Sequence, residues 1–149
     1  MAEKQACPIA SLKNILLATD GSDFSEAAMK QAISISKACS SKLHIISVVE
    51  VNPEYEALAP KIVEKAESDT RQLLEWTKEC IVKEGIECET IARQGEEPAQ
   101  FIIEEAEKKK VEMIVMGSHG RKGLKKFLMG SVTQKVLAHT PCSVLVVKA

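Results

Sequence analysis

The sequence predicts an open, doubly wound α/β domain in which helices cover both faces of a five-stranded parallel sheet, as in Rossmann-like folds. Short, nearly continuous apolar runs, such as residues 13–19, have the pattern of strands buried on both faces. Longer segments with helical periodicity alternate with them, and this spacing is typical of βαβ units with right-handed crossovers. A chain of 149 residues suits one core. We expect residues 1–149 to form a single domain, with residues 1–11 as a flexible N-terminal segment.

In the N-terminal half we expect two strands, each followed by a helix. The first strand, residues 13–19, ends at an Asp-Gly-Ser turn, where Ser22 or Asp23 can cap a helix reaching Cys39. The second strand spans residues 42–51. Residues 50–59 are expected to be irregular, and a long helix then covers residues 60–84, ended by Gly85.

In the C-terminal half the pattern continues with three more strands. Residues 86–93 alternate apolar and charged side chains, which suits a strand at the sheet edge. A helix starts at Pro98, in its first turn, and runs to about residue 109. A strand over residues 111–116, a helix over residues 131–139 and a last strand over residues 143–147 complete the order.

Composition excludes several classes of partner and location. The net charge is -1 and only 3% of the residues are aromatic, so we expect neither nucleic acid nor a membrane as a partner. The five cysteines are scattered without a Cys-x-x-Cys pair, which favours thiols in a reducing compartment over a disulfide framework or zinc site. With no signal peptide or membrane span in the sequence, we expect a cytoplasmic protein.

A glycine-rich, cationic loop between residues 117 and 131 has the features of a phosphate-binding loop. Glycines let backbone N–H groups approach an anion, and Gly130-Ser131 opens a helix whose first amides have no partner within it. The alternative is that the glycines only form turns. Four cationic residues of this loop either neutralise phosphates or form a solvated face. The glycines are Gly117, Gly120, Gly123 and Gly130, and the cationic residues are Arg121, Lys122, Lys125 and Lys126.

Asp20 is expected to face this loop. In open α/β sheets, ligands bind beyond the carboxyl ends of strands where the strand order reverses, and Asp20 follows the first strand as the glycine loop follows the fourth. A carboxylate there can bind a ribose hydroxyl or a base edge, although Asp20 could equally be a turn residue. Neither G-x-G-x-x-G in the first turn nor a P-loop motif occurs. We expect no catalytic or metal role for His44, His119 or His139.

The spacing Gly117-x2-Gly120-x9-Gly130-Ser131, with Pro141 and a Val-rich strand after it, resembles the ATP-binding signature of the universal stress protein family. The resemblance extends over nearly the whole chain. It implies strand order 3-2-1-4-5 and ATP bound with Mg²⁺ or Mn²⁺ held by the phosphates. The nucleotide-binding residues that it implies are Thr19, Asp20, Val48 or its neighbour Val49, Met116, Gly117, His119, Gly120, Arg121, Gly130, Ser131 and Val132.

We expect an ATP-binding regulatory module acting in the stress response. The alternatives are a slow Mg²⁺-dependent ATP hydrolase at the same site and a nucleotide-free structural dimer. No catalytic base is identifiable in the sequence, so binding is favoured and no catalytic residue is assigned. The last strand, residues 143–147, carries no charge, and as a sheet edge it would invite antiparallel pairing with a second copy. A homodimer is therefore expected, together with an unidentified protein partner.

Overall fold

A computed structural model describes residues 12–121 and 128–149 of the chain. Strands and helices alternate through it, with one additional short helix. In chain order the elements are β1 (Asn14–Ala18), α1 (Asp23–Cys39), β2 (Lys42–Glu50), α2 (Pro53–Leu58), α3 (Pro60–Val82), β3 (Cys88–Gly95), α4 (Pro98–Lys108), β4 (Met113–Gly117), α5 (Ser131–His139) and β5 (Ser143–Val147).

The five strands form one sheet in the order β3-β2-β1-β4-β5, with every neighbouring pair parallel. The predicted fold class and strand order are therefore confirmed. The apolar runs form its centre: Ile15, Leu16 and Leu17 of β1 are completely buried, as are Ile114 and Val115 of β4. Full burial of one such side chain contributes roughly 1.5–3 kcal/mol.

Helices cover both faces of the sheet. On one face, α1 and α3 contribute Ala28, Ala32, Leu74 and Ile81 to a core with the odd-numbered residues of β1 and β2. On the other face, α4 packs beside α5 against the even-numbered residues of the same strands. This alternation follows from the pleat of a strand, which sends successive side chains to opposite faces.

Capping residues define both ends of α1, the helix that follows the first strand. The Ser22 hydroxyl accepts a hydrogen bond from Ser25 N, and Ser40 ends α1 in the left-handed conformation. The predicted capping by Ser22 is confirmed, and α1 ends at Cys39 as expected.

Several predicted bounds differ from the structure, including the fourth strand, which runs from Met113 to Gly117 instead of over residues 111–116. Residues 50–59 are not irregular, because they contain α2, whose N-terminus is capped by the Asn52 side chain accepting from Tyr55 N at 2.7 Å, with Pro53 at the first position. The third strand begins at Cys88 and runs to Gly95, past its predicted end at residue 93, because β2 is long enough to pair with it up to Glu50. Its predicted place at the sheet edge is confirmed.

The cysteines differ in state. Cys80, Cys88 and Cys142 are free thiols, whereas Cys39 is disulfide-bonded, so the expectation of thiols throughout is wrong for Cys39. Burial raises the pKa of the Cys88 and Cys142 thiols. No helix in the described residues is both long and apolar enough to cross a membrane. The predicted flexible segment, residues 1–11, lies outside the described residues.

A polar network crosses β1, β2 and β3 near the amino ends of the strands. The buried ring of His44 lies between Glu89 Oε1, 2.7 Å from Nδ1, and Asn14 Oδ1, 3.0 Å from Nε2. Lys109 Nζ also lies 2.7 Å from Glu89 Oε1. The hydrogen bonds from Lys109 and His44 lower the pKa of Glu89 from 4.5 to about 2. The Glu89 carboxylate thus joins the edge strand to its neighbour and to the end of α4.

We expect Glu89→Gln to lower the free energy of unfolding at pH 7 by about 1–2 kcal/mol, less than the full pKa shift implies because Glu89 is one-third exposed. A carboxyl group whose pKa is lower in the folded state stabilises above its unfolded pKa and loses that contribution as the pH falls through its folded pKa. The difference between the two proteins should therefore shrink from pH 5 towards pH 2 in urea unfolding. Glu87→Gln, at an exposed partner of Lys42, is the matched control and should change little. If Glu89→Gln lowered the free energy of unfolding by the same amount at every pH, the lowered pKa of Glu89 in the folded state would be contradicted.

Candidate functional site

A cavity of about 450 Å³ opens at the carboxyl ends of β1, β2 and β4, where the strand order reverses. It lies between the turn after β1, the end of β2, the start of α5 and the middle of α3. The lining includes every residue assigned to the nucleotide from the sequence: Thr19, Asp20, Val48, Met116, Gly117, His119, Gly120, Arg121, Gly130, Ser131 and Val132. Residues far apart in the sequence thus meet at one cavity.

Asp20 joins the turn after β1 to the loop after β4 through hydrogen bonds of its carboxylate. Its Oδ1 accepts from Ser22 N at 3.0 Å, and its Oδ2 accepts from Arg121 N at 2.9 Å. A carboxylate has about four lone-pair sites, so it can still accept from a ligand hydroxyl. Asp20 is therefore a turn residue and a cavity residue at once, and the two sequence interpretations are both compatible with its position.

Close packing requires glycine at the last residue of β4 and at one position of the loop that follows it. A Cβ at Gly117 would lie 2.7 Å from Phe24 Cβ and 2.9 Å from the Phe24 carbonyl carbon. A Cβ at Gly120 would lie 2.7 Å from Asp20 Oδ2. The loop can therefore approach α1 and the Asp20 carboxylate only because these residues have no side chain.

The start of α5 presents backbone donors to the cavity. Gly130 is the N-cap and supplies no side-chain hydrogen bond, in contrast to Ser22 and Asn52 at α1 and α2. The helix is held against β4 by Thr133, whose hydroxyl donates to Gly117 O at 2.9 Å, and by Gly130 N, which donates to Ser118 O at 2.8 Å. Amides in the first turn of a helix have no acceptor within it, and their dipoles favour an anion.

In the described part of the loop, the titratable side chain of His119 and the charged side chain of Arg121 contact different neighbours. The His119 ring lies 5.0 Å from the ring of Phe24; its Nδ1 is 2.9 Å from Ser118 Oγ, and its Nε2 contacts Leu128 O. The Arg121 guanidinium lies over Gly21, where a Cβ would come within 2.9 Å of it. Lys122, Gly123, Lys125 and Lys126, which the sequence assigned to this loop, lie outside the described residues.

Main-chain hydrogen bonds show which backbone groups of β2 face the cavity. Ile46 O accepts from Thr19 N at 3.0 Å on the β1 side, whereas Val51 N donates to Gly95 O at 3.0 Å on the β3 side. Backbone groups alternate between the two sides of a strand, so even-numbered residues of β2 face β1. Pairing with β1 ends at Ile46, while β2 continues. The N–H and C=O of Val48 therefore point into the space beyond β1, and those of Val49 do not.

Sequence reasoning missed the outer wall of the cavity. Ala66, Asp69, Thr70 and Leu73 of α3 line it, a spacing that puts all four on one face of the helix. In the sequence Ala66 and Leu73 are apolar residues of a predicted helix like several others, and the polar pair between them gave no signal of its own. Further lining residues are Ser47 of β2 and, on α4, Pro98 and Ile102.

Comparison with known proteins identifies the family. A model of the universal stress protein family matches residues 11–148. The chain belongs to the universal stress protein family. A universal stress protein of Methanocaldococcus jannaschii is 39% identical to it over 140 residues, covering 91% of this chain and 82% of the relative.

Solved structures share the fold of this universal stress protein. The structure of the hypothetical protein MJ0577 superimposes with a TM-score of 0.82 at 29% identity, covering 93% of this chain and 96% of the other. A universal stress protein in complex with cAMP has a TM-score of 0.68 at 23% identity and covers 93% and 98% of the two chains. One from Archaeoglobus fulgidus in complex with dAMP has a TM-score of 0.64 at 22% identity and covers 94% and 100%.

We expect Gly120→Ala to destabilise this universal stress protein by about 1–2 kcal/mol, because the new Cβ displaces Asp20 Oδ2 from the Arg121 amide. In an Asp20→Ala background the same substitution should cost little, since no carboxylate is in its way. Urea unfolding of the two single variants and the double variant, without nucleotide, measures this coupling. An equal cost in both backgrounds would show that the Asp20 contact does not decide the residue at position 120.

Proposed function

We propose that this protein is an ATP-binding regulatory module of the stress response, in which the nucleotide occupies the cavity between Asp20, Val48 and α5. The observation that carries the proposal is the pairing of two kinds of unused backbone group in one cavity. Val48 offers an adjacent donor and acceptor, which match the N1 and 6-amino groups of adenine. The first turn of α5 offers amides without a side-chain cap, which match phosphate oxygens. Two proteins of the same fold were solved with the adenine nucleotides cAMP and dAMP.

The remaining groups complete the proposed site. Asp20 would accept a hydrogen bond from a ribose hydroxyl, and Gly117 and Gly120 would let the phosphates approach the backbone. No group of three or more His, Cys, Asp or Glu side chains in the described part of the chain could hold a metal ion. We therefore propose that Mg²⁺ or Mn²⁺ binds together with ATP, through the phosphate oxygens. Occupancy would set the conformation of the loop after β4 and so recognition by a protein partner.

Ser131→Pro tests the phosphate site directly. Proline lacks an N–H, is tolerated at the first position of a helix and requires an extended residue before it. Gly130 has φ -59° and ψ 151°, so the substitution should fit without strain. Loss of one amide to a charged phosphate should weaken ATP binding about 10- to 100-fold, as measured by calorimetry. Affinity for adenosine, which has no phosphate, should not change.

Ser131→Ala is the matched control, since it removes the hydroxyl but keeps the amide, and it should retain most of the affinity for ATP. Wild-type protein at an ATP concentration 100 times Kd should gain roughly 2.7 kcal/mol of stability. The absence of any thermal shift with ATP would overturn the proposed function. Equal binding of ATP by wild type and Ser131→Pro would remove α5 from the proposed site.

We further propose that two copies pair through β5 to form a homodimer. β5 is an edge strand, and its residues Val144, Leu145 and Val146 are only partly buried within one chain. Val147 O accepts from Ser118 N on the β4 side, so the alternate residues Val144 and Val146 direct their backbone groups outward. An apolar edge with outward N–H and C=O groups is suited to pairing with another strand.

Val146→Pro should convert the dimer to a monomer in sedimentation velocity, because it removes an outward N–H without removing a hydrogen bond to β4. Proline is tolerated in edge strands, so the monomer should remain folded by circular dichroism. Val146→Thr keeps the amide and should remain dimeric. A wild-type protein that sediments as a monomer at tens of micromolar would contradict the proposal.

A further inference from the structure

One hydroxyl interrupts an apolar row on the side of β2 that faces α3. Leu43, Ile45 and Val49 in this row are all buried, at 0%, 0% and 8% exposure, and Ser47 between them is only 4% exposed. Leu43 and Ile45 share one core cluster with Leu74 and Ile81 of α3. A serine at this position therefore has no packing reason, since an apolar side chain would continue the row.

The hydroxyl of Ser47 lines the cavity and forms no hydrogen bond with any residue of the described chain. The same holds for the hydroxyl of Thr70, which lines the cavity from α3. Other cavity hydroxyls are satisfied: Thr19 Oγ1 donates to Ser25 Oγ at 3.2 Å, and Thr133 Oγ1 donates to Gly117 O. Because the Ser47 hydroxyl opens on the cavity, water can bond to it when no ligand is present, and a ligand atom can take the place of that water.

We propose that Ser47 is a specificity-determining residue for the nucleobase, with its hydroxyl bound to the N7 and 6-amino edge of adenine. The inference rests on the proposed nucleotide site and adds a contact to it. Val48, the next residue, presents its backbone donor and acceptor to the N1 and 6-amino side of the base. Adenine carries an acceptor at N7 and a second amino hydrogen beside it, and a serine hydroxyl can both donate and accept. Thr70 provides a second hydroxyl on the α3 wall.

Ser47→Ala should weaken ATP binding about 3- to 10-fold in calorimetry, the range for one neutral hydrogen bond. Because the hydroxyl bonds to no other residue of the described chain, the same substitution should not lower the melting temperature without nucleotide. A residue with a merely structural role would show the opposite pattern, a lower melting temperature. That result would overturn the proposal.

Ser36→Ala is the matched control. Ser36 on α1 has a buried hydroxyl without a partner in the described residues, and it does not line the cavity. Its replacement should likewise leave the ligand-free melting temperature intact or raise it. Affinity for ATP should stay at the wild-type value, in contrast to Ser47→Ala.

Base analogues test which atoms Ser47 contacts. Wild type should bind 7-deaza-ATP, which lacks N7, more weakly than ATP by a similar factor of about 3- to 10-fold. It should bind purine riboside triphosphate more weakly still, because the missing 6-amino group also donates to Val48 O in the proposed site. Ser47→Ala should show no further loss with the analogue concerned. Losses that multiply for both analogues would overturn the contact. Failure of wild type to bind any of the three nucleotides would overturn the proposed function itself, whereas equal ATP affinity of wild type and Ser47→Ala would overturn this inference alone.

Discussion

The site depends on one mismatch in the sheet: β1 ends at Ala18, paired with Ile46, while β2 continues to Glu50. In the middle of a parallel sheet every backbone group has a neighbour, but beyond Ala18 the N–H and C=O of Val48 have no backbone partner among the described residues on that side. The same termination turns the chain away at Asp20 and leaves room for the loop after β4. Unpaired donors and acceptors, an acidic turn and a cavity therefore all arise from the end of one central strand.

The central fold was predictable because burial on both faces requires continuous apolar runs, and those of β1, β2 and β4 are plain in the sequence. The glycine loop was predictable because close backbone approach tolerates few other residues, as Gly117 and Gly120 show. The part of the cavity formed by α3 was not predictable. Thr70 looks like any other polar residue of a helix in the sequence, and only the three-dimensional structure shows that α3 lies over the end of β2. α2 was missed because it buries no side chain, so its six residues show no apolar periodicity, although Asn52 and the following proline are a start signal.

Polar groups at the amino ends of the strands have hydrogen-bond partners, whereas several polar groups at the carboxyl ends do not have one in the described chain. At the amino ends, the buried His44 has a partner at each ring nitrogen, and the Glu89 carboxylate is shared with a lysine. A satisfied network of this kind stabilises one arrangement of the strands. At the carboxyl ends, the first amides of α5, the backbone of Val48 and the hydroxyl of Ser47 have no such partners in the described chain. The side chains of the network at the amino ends are therefore separate from the residues that line the cavity.

Hydrolysis of a bound nucleotide would need a group that positions or deprotonates water beside the terminal phosphate. The titratable side chains beside the described loop already have other partners: Asp20 accepts from two backbone amides, and both ring nitrogens of His119 contact neighbouring oxygens. Recruiting either as a base would break contacts that hold the loop against α1 and α5. The α3 side of the cavity adds a further carboxylate, Asp69, which is paired with Lys65 Nζ at 2.9 Å. Each of these three side chains would therefore have to give up a contact before it could act as a base at this cavity.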